Sequence, residues 1–354
     1  MMRAAVYRGV NDVRVETIAV PEIGSGEVLV KIHTCGICGT DLKKIHSGSH
    51  AAPRVFGHEM AGTIVRVGAG VEGFAVGERV MAYHHIPCGV CYYCRKRTFA
   101  QCEVYKKVGC TAGFAPSGGG FAEYIRVMDW IVRGGLVKIP DDIPFEQAAF
   151  LEPVNTCYKA IQLLRLEADE TVLVIGQGPI GILLAALAQR TGATVLTSDL
   201  YPERHAVAAT FGLDHPIDAG QDVAAVARAA TEGRGVDVAL LAVGADPLIR
   251  TALEAVRPGG RVMLFASTQH GETGFDPAAV CMDEKTLMGS YSSSVAINDA
   301  VAELVFAGYR DGSFDLTKLI SHRFSLEEAV AGIELASHPR ADSLKIVIQP
   351  WAGV

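Results

Sequence analysis

The spacing of hydrophobic and polar positions changes character once along this chain. Over residues 1–150 the apolar positions alternate or cluster in short β-branched runs between glycines, as in "EVLVKIHTC" (27–35), "GTIVRVGAGV" (62–71) and "GERVMAY" (77–83). A period of two interrupted by frequent glycine predicts short, curled strands and a mostly β domain. In "LEPVNTCYKAIQLLRL" (151–166) the spacing becomes helical. Strand and helix then alternate: "ETVLVIG", "PIGILLAALAQRTG", "ATVLTSD", "PERHAVAATFG", "VDVALLAVG", "PLIRTALEAVRPGG" and "GRVMLFAS". Two of these helices open on a proline and close on a glycine, the usual end signals. Fully apolar strands alternating with helices predict a parallel sheet covered on both faces. Beyond residue 290 the pattern is mixed and ends in the strand-like "SLKIVIQP", which is expected to return to the first domain. The expectation is an α/β protein with one β-rich domain from 1–153 and 290–354 and a doubly wound parallel-sheet domain from 154–289.

Composition narrows the partners. The 354 residues are 49% hydrophobic and 20% charged, a globular balance with enough chain for two domains. The net charge is −7 without a Lys/Arg block, so neither nucleic acid nor an anionic membrane is an expected partner. The most apolar run, 172–188, is short for a bilayer and broken by glycines and a proline. The N-terminal "MMRAAVYRGVNDVRVE" lacks the apolar core of a secretory signal, so a cytoplasmic location is expected.

Nine cysteines, an odd number, argue against a disulfide framework. Cys88, Cys91, Cys94 and Cys102 lie within fifteen residues. Two-residue gaps containing a turn former such as Gly89 let successive thiols curl around one centre, and the longer gap before Cys102 closes a fourth corner. Four thiolates around a tetrahedral zinc leave no position for water or substrate, so the segment 84–110 reads as a structural zinc lobe. Four unrelated buried thiols is the blander alternative.

"VLVIGQGPIG" places Gly176, Gly178 and Gly181 as G-x-G-x-x-G after a strand and at the start of a helix, with Asp199 ending the next strand. Gly176 permits the tight turn, Gly178 a close backbone approach to a pyrophosphate, and Gly181 tight packing of helix on sheet. Pro179 and Ile180 open the helix, whose N-terminal N–H groups favour phosphate. A carboxylate at Asp199 accepts ribose hydroxyls and repels a 2′-phosphate, predicting NAD. Arg204 has two readings, over the adenine or paired with Asp199.

Three separated segments carry further metal chemistry: "CGICGTD" (35–41), "FGHEMAG" (56–62) and "LEPVNTC" (151–157). With the four-Cys segment and the glycine motif, in this order, they make the whole chain resemble the zinc-containing medium-chain dehydrogenases, in particular the sorbitol, threonine and polyol branch. The resemblance implies a GroES-like catalytic domain and a Rossmann domain, two zinc ions per chain, one catalytic and one structural, and NAD. It carries Cys38 and His58 over as catalytic zinc ligands, with Glu59 or Glu152 reaching the metal directly or through water. Asp41 stands as the carboxylate that orients the imidazole, and Thr40 as the hydroxyl that takes the substrate's proton. Where many relatives have a relay histidine this chain has Lys43, and where sorbitol enzymes place an arginine it has Ser292. "GSYSSS" and "EPVNTC" are closer to dehydrogenases of cyclitols and amino-cyclitols.

The implied reaction is reversible oxidation of a secondary alcohol of a polyol, sugar or cyclitol, with the proton passing through Thr40 toward the cofactor ribose and Lys43 or solvent. L-Threonine or another amino alcohol is the alternative substrate. A non-catalytic NAD-binding protein on the same scaffold is the alternative of another class. The relatives are dimers or tetramers, so a homo-oligomer is expected, with "GRVMLFAS" near a sheet edge that pairs subunits. Cys35, Cys110, Cys157 and Cys281 read as buried small apolar residues. His33, His46, His50, His84 and His85 read as solvated or hydrogen-bonded, with His46 carried as a candidate near substrate or proton exit.

Overall fold

The computed structural model describes residues 1–352 apart from 117, 219 and 267–270. The chain divides into two compact units, Met1–Pro153 with Ser293–Val354, and Val154–Ser292. The return to the first unit falls at Ser293, slightly later than the expected 290.

In the first unit the principal sheet runs in the order Ile320–Ser325, Lys345–Gln349, Val28–Gly36, Glu59–Val67, Arg79–Ala82, Leu136–Lys138. Its pairings are antiparallel except for the two C-terminal strands, which run parallel to each other. The strand Val28–Gly36 lies inside this sheet, and Val28, Val30 and Ile32 are buried. Near its end, Gly36 pairs with Glu59 on one side and with Val347 on the other. A side chain at Gly36 would collide with Glu59 Oε2 and come within 2.6 Å of Lys345 Cε. Glycine leaves room there for the ends of these two side chains. The strand Glu59–Val67 begins three residues before the "GTIVRVGAGV" segment, which sets His58 immediately at its mouth.

The second unit is a six-stranded sheet, parallel at every pairing. Its order is Pro216–Ile217, Thr194–Ser198, Thr171–Ile175, Val236–Leu241, Val256–Leu264, Thr286–Gly289. Numbered along the chain, this is the 3-2-1-4-5-6 order of a Rossmann sheet, with its topological switch beside the first strand. Val236–Leu241 is buried at every position, as a strand covered on both faces must be. The apolar run 172–188 divides into the strand Thr171–Ile175, the glycine turn and the helix Pro179–Gln189. No helix among the described residues is long and apolar enough to cross a membrane.

Two expectations need correction, the end of one helix and the burial of Cys281. The helix that begins at Pro247 ends at Ala255, not at Gly260, and Val256 is already extended. Pro258 has no N–H to continue the helix, Gly259 takes φ 71°, and Arg257 turns back to donate to Asp237 Oδ1 at 2.6 Å. The strand from "GRVMLFAS" lies next to the edge of the sheet, as expected, with Thr286–Gly289 forming the edge itself; Ser267 lies outside the described residues. Cys281 is exposed, at the end of the short helix Ala278–Cys281, whereas Cys35, Cys110 and Cys157 are buried. His84 and His85 are buried, and His85 Nδ1 hydrogen-bonds the Val108 carbonyl at 3.3 Å, within the expected solvated or hydrogen-bonded reading.

Gly36→Ala is expected to lower the unfolding free energy by about 1–3 kcal/mol, the usual cost of forcing atoms into a packed site. Urea unfolding of the zinc-loaded protein with an unchanged midpoint would contradict the close approach of these three strands.

Candidate functional site

The four-thiol lobe is built by local turns. Gly89 takes φ 76°, the short helix Tyr92–Arg95 starts at Cys91, and a 3-10 turn over Phe99–Gln101 delivers Cys102. The sulfurs of Cys88, Cys91, Cys94 and Cys102 lie within 4.8 Å of one another, with Cys88 and Cys94 3.9 Å apart. Zn–S bonds of about 2.3 Å in a tetrahedron place sulfurs roughly 3.8 Å apart, so the donor set fits zinc. Backbone N–H groups support the thiolates: Cys91 N donates to Cys88 Sγ at 3.4 Å and Cys88 N to Cys102 Sγ at 3.3 Å. Hydrogen bonds from the Cys94 and Glu103 backbone hold the Cys91 thiol below its ordinary range, while burial pushes Cys94 up. A bound cation offsets that burial penalty.

The second group also lies in the first unit. Cys38 caps the N-terminus of the helix Gly39–Ser47, and His58 immediately precedes the strand that starts at Glu59. One ligand atom each from Cys38, His58 and Glu59 lies within 4.8 Å of the others. Thr40 Oγ1 is 3.3 Å from both Cys38 Sγ and His58 Nε2. On the far side of the ring, His58 Nδ1 lies 3.0 Å from Asp41 Oδ1, and Asp41 is fully buried. Burial pulls the His58 imidazolium down, but Asp41 and Cys38 outweigh it and hold the group well above its ordinary value. The pocket around Nε2 therefore favours positive charge, and a Cys, His and carboxylate set suits a zinc that keeps an open position.

Glu59 and Glu152 are both buried but are placed differently. Glu59 falls within the compact donor group, whereas Glu152 does not. Burial pushes the Glu152 carboxyl up to about 7, with His58 pulling it down and Glu59 pushing it further up. Glu59 is ion-paired to Lys345, a residue that the sequence reading missed. Lys345 Nζ also donates to the Ile37 carbonyl at 3.1 Å. A lysine opening an otherwise apolar strand was the available signal. His84 was missed too: its ring centroid lies 4.6 Å from that of His58, and its Nδ1 has no hydrogen-bond partner among the described residues. His46 instead bonds Asn11 Oδ1 at 2.6 Å and Ser337 Oγ at 2.9 Å.

In the second unit the glycine motif takes its expected geometry. Gly176 has φ 95°. A side chain at Gly181 would collide with the Gly176 carbonyl, whereas one at Gly178 would meet nothing within 4 Å. That open face at the helix N-terminus is the space a pyrophosphate needs. Pro179 is the first residue of the helix, and Ile180 follows it. Asp199 Oδ2 accepts from Gln177 N at 2.6 Å and Oδ1 from Tyr201 N at 2.9 Å, which ties the acid to the glycine loop. Arg204 Nη1 lies 3.4 Å from Asp199 Oδ2, and the guanidinium lies 4.6 Å from the centre of the Tyr201 ring.

Residues 24–141 match the family described as alcohol dehydrogenase GroES-like domain, and residues 179–307 the family described as zinc-binding dehydrogenase. The sorbitol dehydrogenase of Bacillus subtilis is 30% identical, covering 99% of this chain and 97% of its own. An L-threonine 3-dehydrogenase of Sinorhizobium medicae is 33% identical, covering 99% of each chain. Among solved structures, one from Sinorhizobium meliloti, described as a zinc-binding dehydrogenase bound to NADP, superposes with a TM-score of 0.87 at 30% identity, covering 99% of each chain.

Cys94→Ser is expected to remove one equivalent of zinc per chain and to lower the melting temperature. Elemental analysis showing unchanged zinc would contradict the lobe assignment.

Proposed function

The chain belongs to the zinc-containing medium-chain dehydrogenases, and from that premise we propose that it oxidises a secondary alcohol of a polyol, sugar or cyclitol to a ketone, reversibly and with NAD. The observation that carries this reading is the meeting of Cys38, His58 and Glu59 around the Thr40 hydroxyl. When bound, zinc supplies Lewis acidity that lowers the pKa of the substrate hydroxyl, and NAD supplies the hydride acceptor. Cys38 and His58 are the first two ligands. Glu59 is the third in preference to Glu152, because its oxygen lies within the same compact group. Asp41 holds the proton on His58 Nδ1 and so turns the Nε2 lone pair toward the ligand position. Lys345 pairs with Glu59 and fixes its direction.

Thr40 accepts the substrate's proton. Lys43, three residues further along the same helix, offers its ammonium to the cofactor ribose. Its ordinary pKa makes it a holder of ribose rather than a proton relay near neutral pH, so the proton leaves through solvent. Gly176, Gly178, Gly181, Pro179 and Ile180 receive the pyrophosphate. Asp199 disfavours a 2′-phosphate, and Arg204 steadies Asp199. The working form is a cytoplasmic homodimer or homotetramer. A second reading, oxidation of L-threonine, is favoured by the 33% identity to the Sinorhizobium medicae enzyme.

The deciding experiment is a panel of polyols, cyclitols, amino-cyclitols and L-threonine with NAD, followed by NADH absorbance; L-threonine as the best substrate would replace the polyol reading. Cys38→Ser and His58→Ala should each cut kcat/KM by about a thousandfold or more, equivalent to about 4 kcal/mol, while NAD binding persists. Activity near that of the parent in either variant would refute the metal assignment. Asp199→Ala should move the NAD to NADP ratio of kcat/KM toward NADP, and an unchanged ratio would count against the role given to this acid.

A further inference from the structure

One helix touches both halves of the second unit's parallel sheet. The helix Leu151–Leu164 belongs to that unit from Val154 onward. Its Cys157 Sγ lies 4.0 Å from the Ile180 carbonyl, in the first turn of the helix that the glycine motif opens. Two residues further along, Lys159 Nζ donates to the Tyr291 carbonyl at 2.5 Å. Ser290 still bonds the sheet, donating its N–H to the Leu264 carbonyl at 3.3 Å, so Tyr291 and Ser292 turn away just past the carboxyl end of the strand Thr286–Gly289. Ser292 takes φ 63°, the left-handed region that a residue other than glycine rarely enters. Such a conformation persists only where its surroundings hold it, and such places cluster at ligand sites. Lys159 is half-buried, and burial pushes its ammonium down to about 8. Among the described residues it pairs with no carboxylate, and the Tyr291 carbonyl takes its charge. The Ser290 hydroxyl is buried at the start of the same turn and has no hydrogen-bond partner among the described residues. A buried polar group left unsatisfied calls for an explanation.

A doubly wound sheet takes a dinucleotide across the carboxyl ends of its strands, one mononucleotide to each half. The glycine turn and Asp199 belong to the half made by Thr171–Ile175, Thr194–Ser198 and Pro216–Ile217. The other half, Val236–Leu241, Val256–Leu264 and Thr286–Gly289, is then the place of the nicotinamide nucleoside. We propose that Lys159 is a positioning residue for the nicotinamide end of the cofactor: it holds the Tyr291 carbonyl and so keeps the turn Ser290–Ser292 in the form that receives the carboxamide. Lys159 acts through that carbonyl and does not touch the cofactor. A carboxamide offers one acceptor oxygen and two N–H donors, so the Ser290 hydroxyl is a partner of the right kind for it. The inference rests on the reading of this chain as an NAD-dependent enzyme.

The test measures calorimetric binding of NADH and of ADP-ribose, which lacks the nicotinamide, to the zinc-loaded protein. Lys159→Met should weaken NADH by about tenfold and leave ADP-ribose unchanged, and Lys159→Arg, which keeps the charge, should restore most of the NADH affinity. A merely structural role would weaken both ligands alike. That result, or NADH affinity equal to the parent's in Lys159→Met, overturns the proposal. A second measurement needs no variant: in the parent, NADH should slow amide exchange over residues 286–294 more than ADP-ribose does. Equal protection by the two ligands overturns the proposal even where Lys159→Met does not fold. If neither ligand binds the parent, the NAD reading fails on its own account, and this inference with it. Normal binding of ADP-ribose with NADH indifferent to Lys159→Met removes the role of Lys159 alone.

Discussion

The constraint on which the first unit depends is the bare backbone at Gly36. The strands carrying Glu59 and Lys345 pair on either side of it, and because this residue has no side chain a carboxylate and an ammonium meet in the space a methyl group would fill. Two residues further along, Cys38 begins the helix that carries Thr40 and Asp41. The register of one strand therefore sets the Cys38 thiol, the His58 imidazole, the Glu59 carboxylate and the ammonium paired with it. Burying such a pair is costly unless each member is satisfied, and Lys345 meets the condition with the Ile37 carbonyl as well as Glu59.

The two metal centres solve opposite electrostatic problems. In the lobe, four sulfur donors supported by backbone N–H groups suit a cation whose every ligand position they would fill. At the Cys38–His58 centre, Asp41, Glu59 and Glu152 crowd acid into a buried volume. The upward shift of Glu152 and the strong retention of positive charge on His58 are two expressions of the same excess. A divalent cation relieves it. The lobe is thus a staple, and the second centre is a place where charge can still be rearranged.

Legibility followed the range of the interactions. The four-thiol lobe and the glycine motif were readable because their donors sit on neighbouring turns, where spacing dictates geometry. The alternation of apolar strands and helices gave the second unit's architecture for the same reason. Pro216–Ile217 and Thr286–Gly289 were not readable, since they are too short for any period to show. The end of the helix at Ala255 escaped because an apolar valine continues the helical spacing into an extended segment. The pairing of Glu59 with Lys345, and hence the difference between Glu59 and Glu152, is a matter of sheet register between distant segments. Nothing local encodes it. His84 escaped for a related reason: its neighbourhood with His58 is made across the fold, and its own sequence context is that of the lobe.

The interrupted layout of the first unit has a consequence for how the protein is made. Residues 154–292, which form the second unit, leave the ribosome before Lys345 does. Until that lysine arrives, Glu59 has no counter-ion and the central strand lacks one of its neighbours. The thiol lobe is complete once Cys102 has emerged, so its ion can be acquired on the nascent chain. The group of Cys38, His58 and Glu59 gains its lysine much later than the lobe gains its fourth thiol, so the two donor sets are assembled at different stages of synthesis.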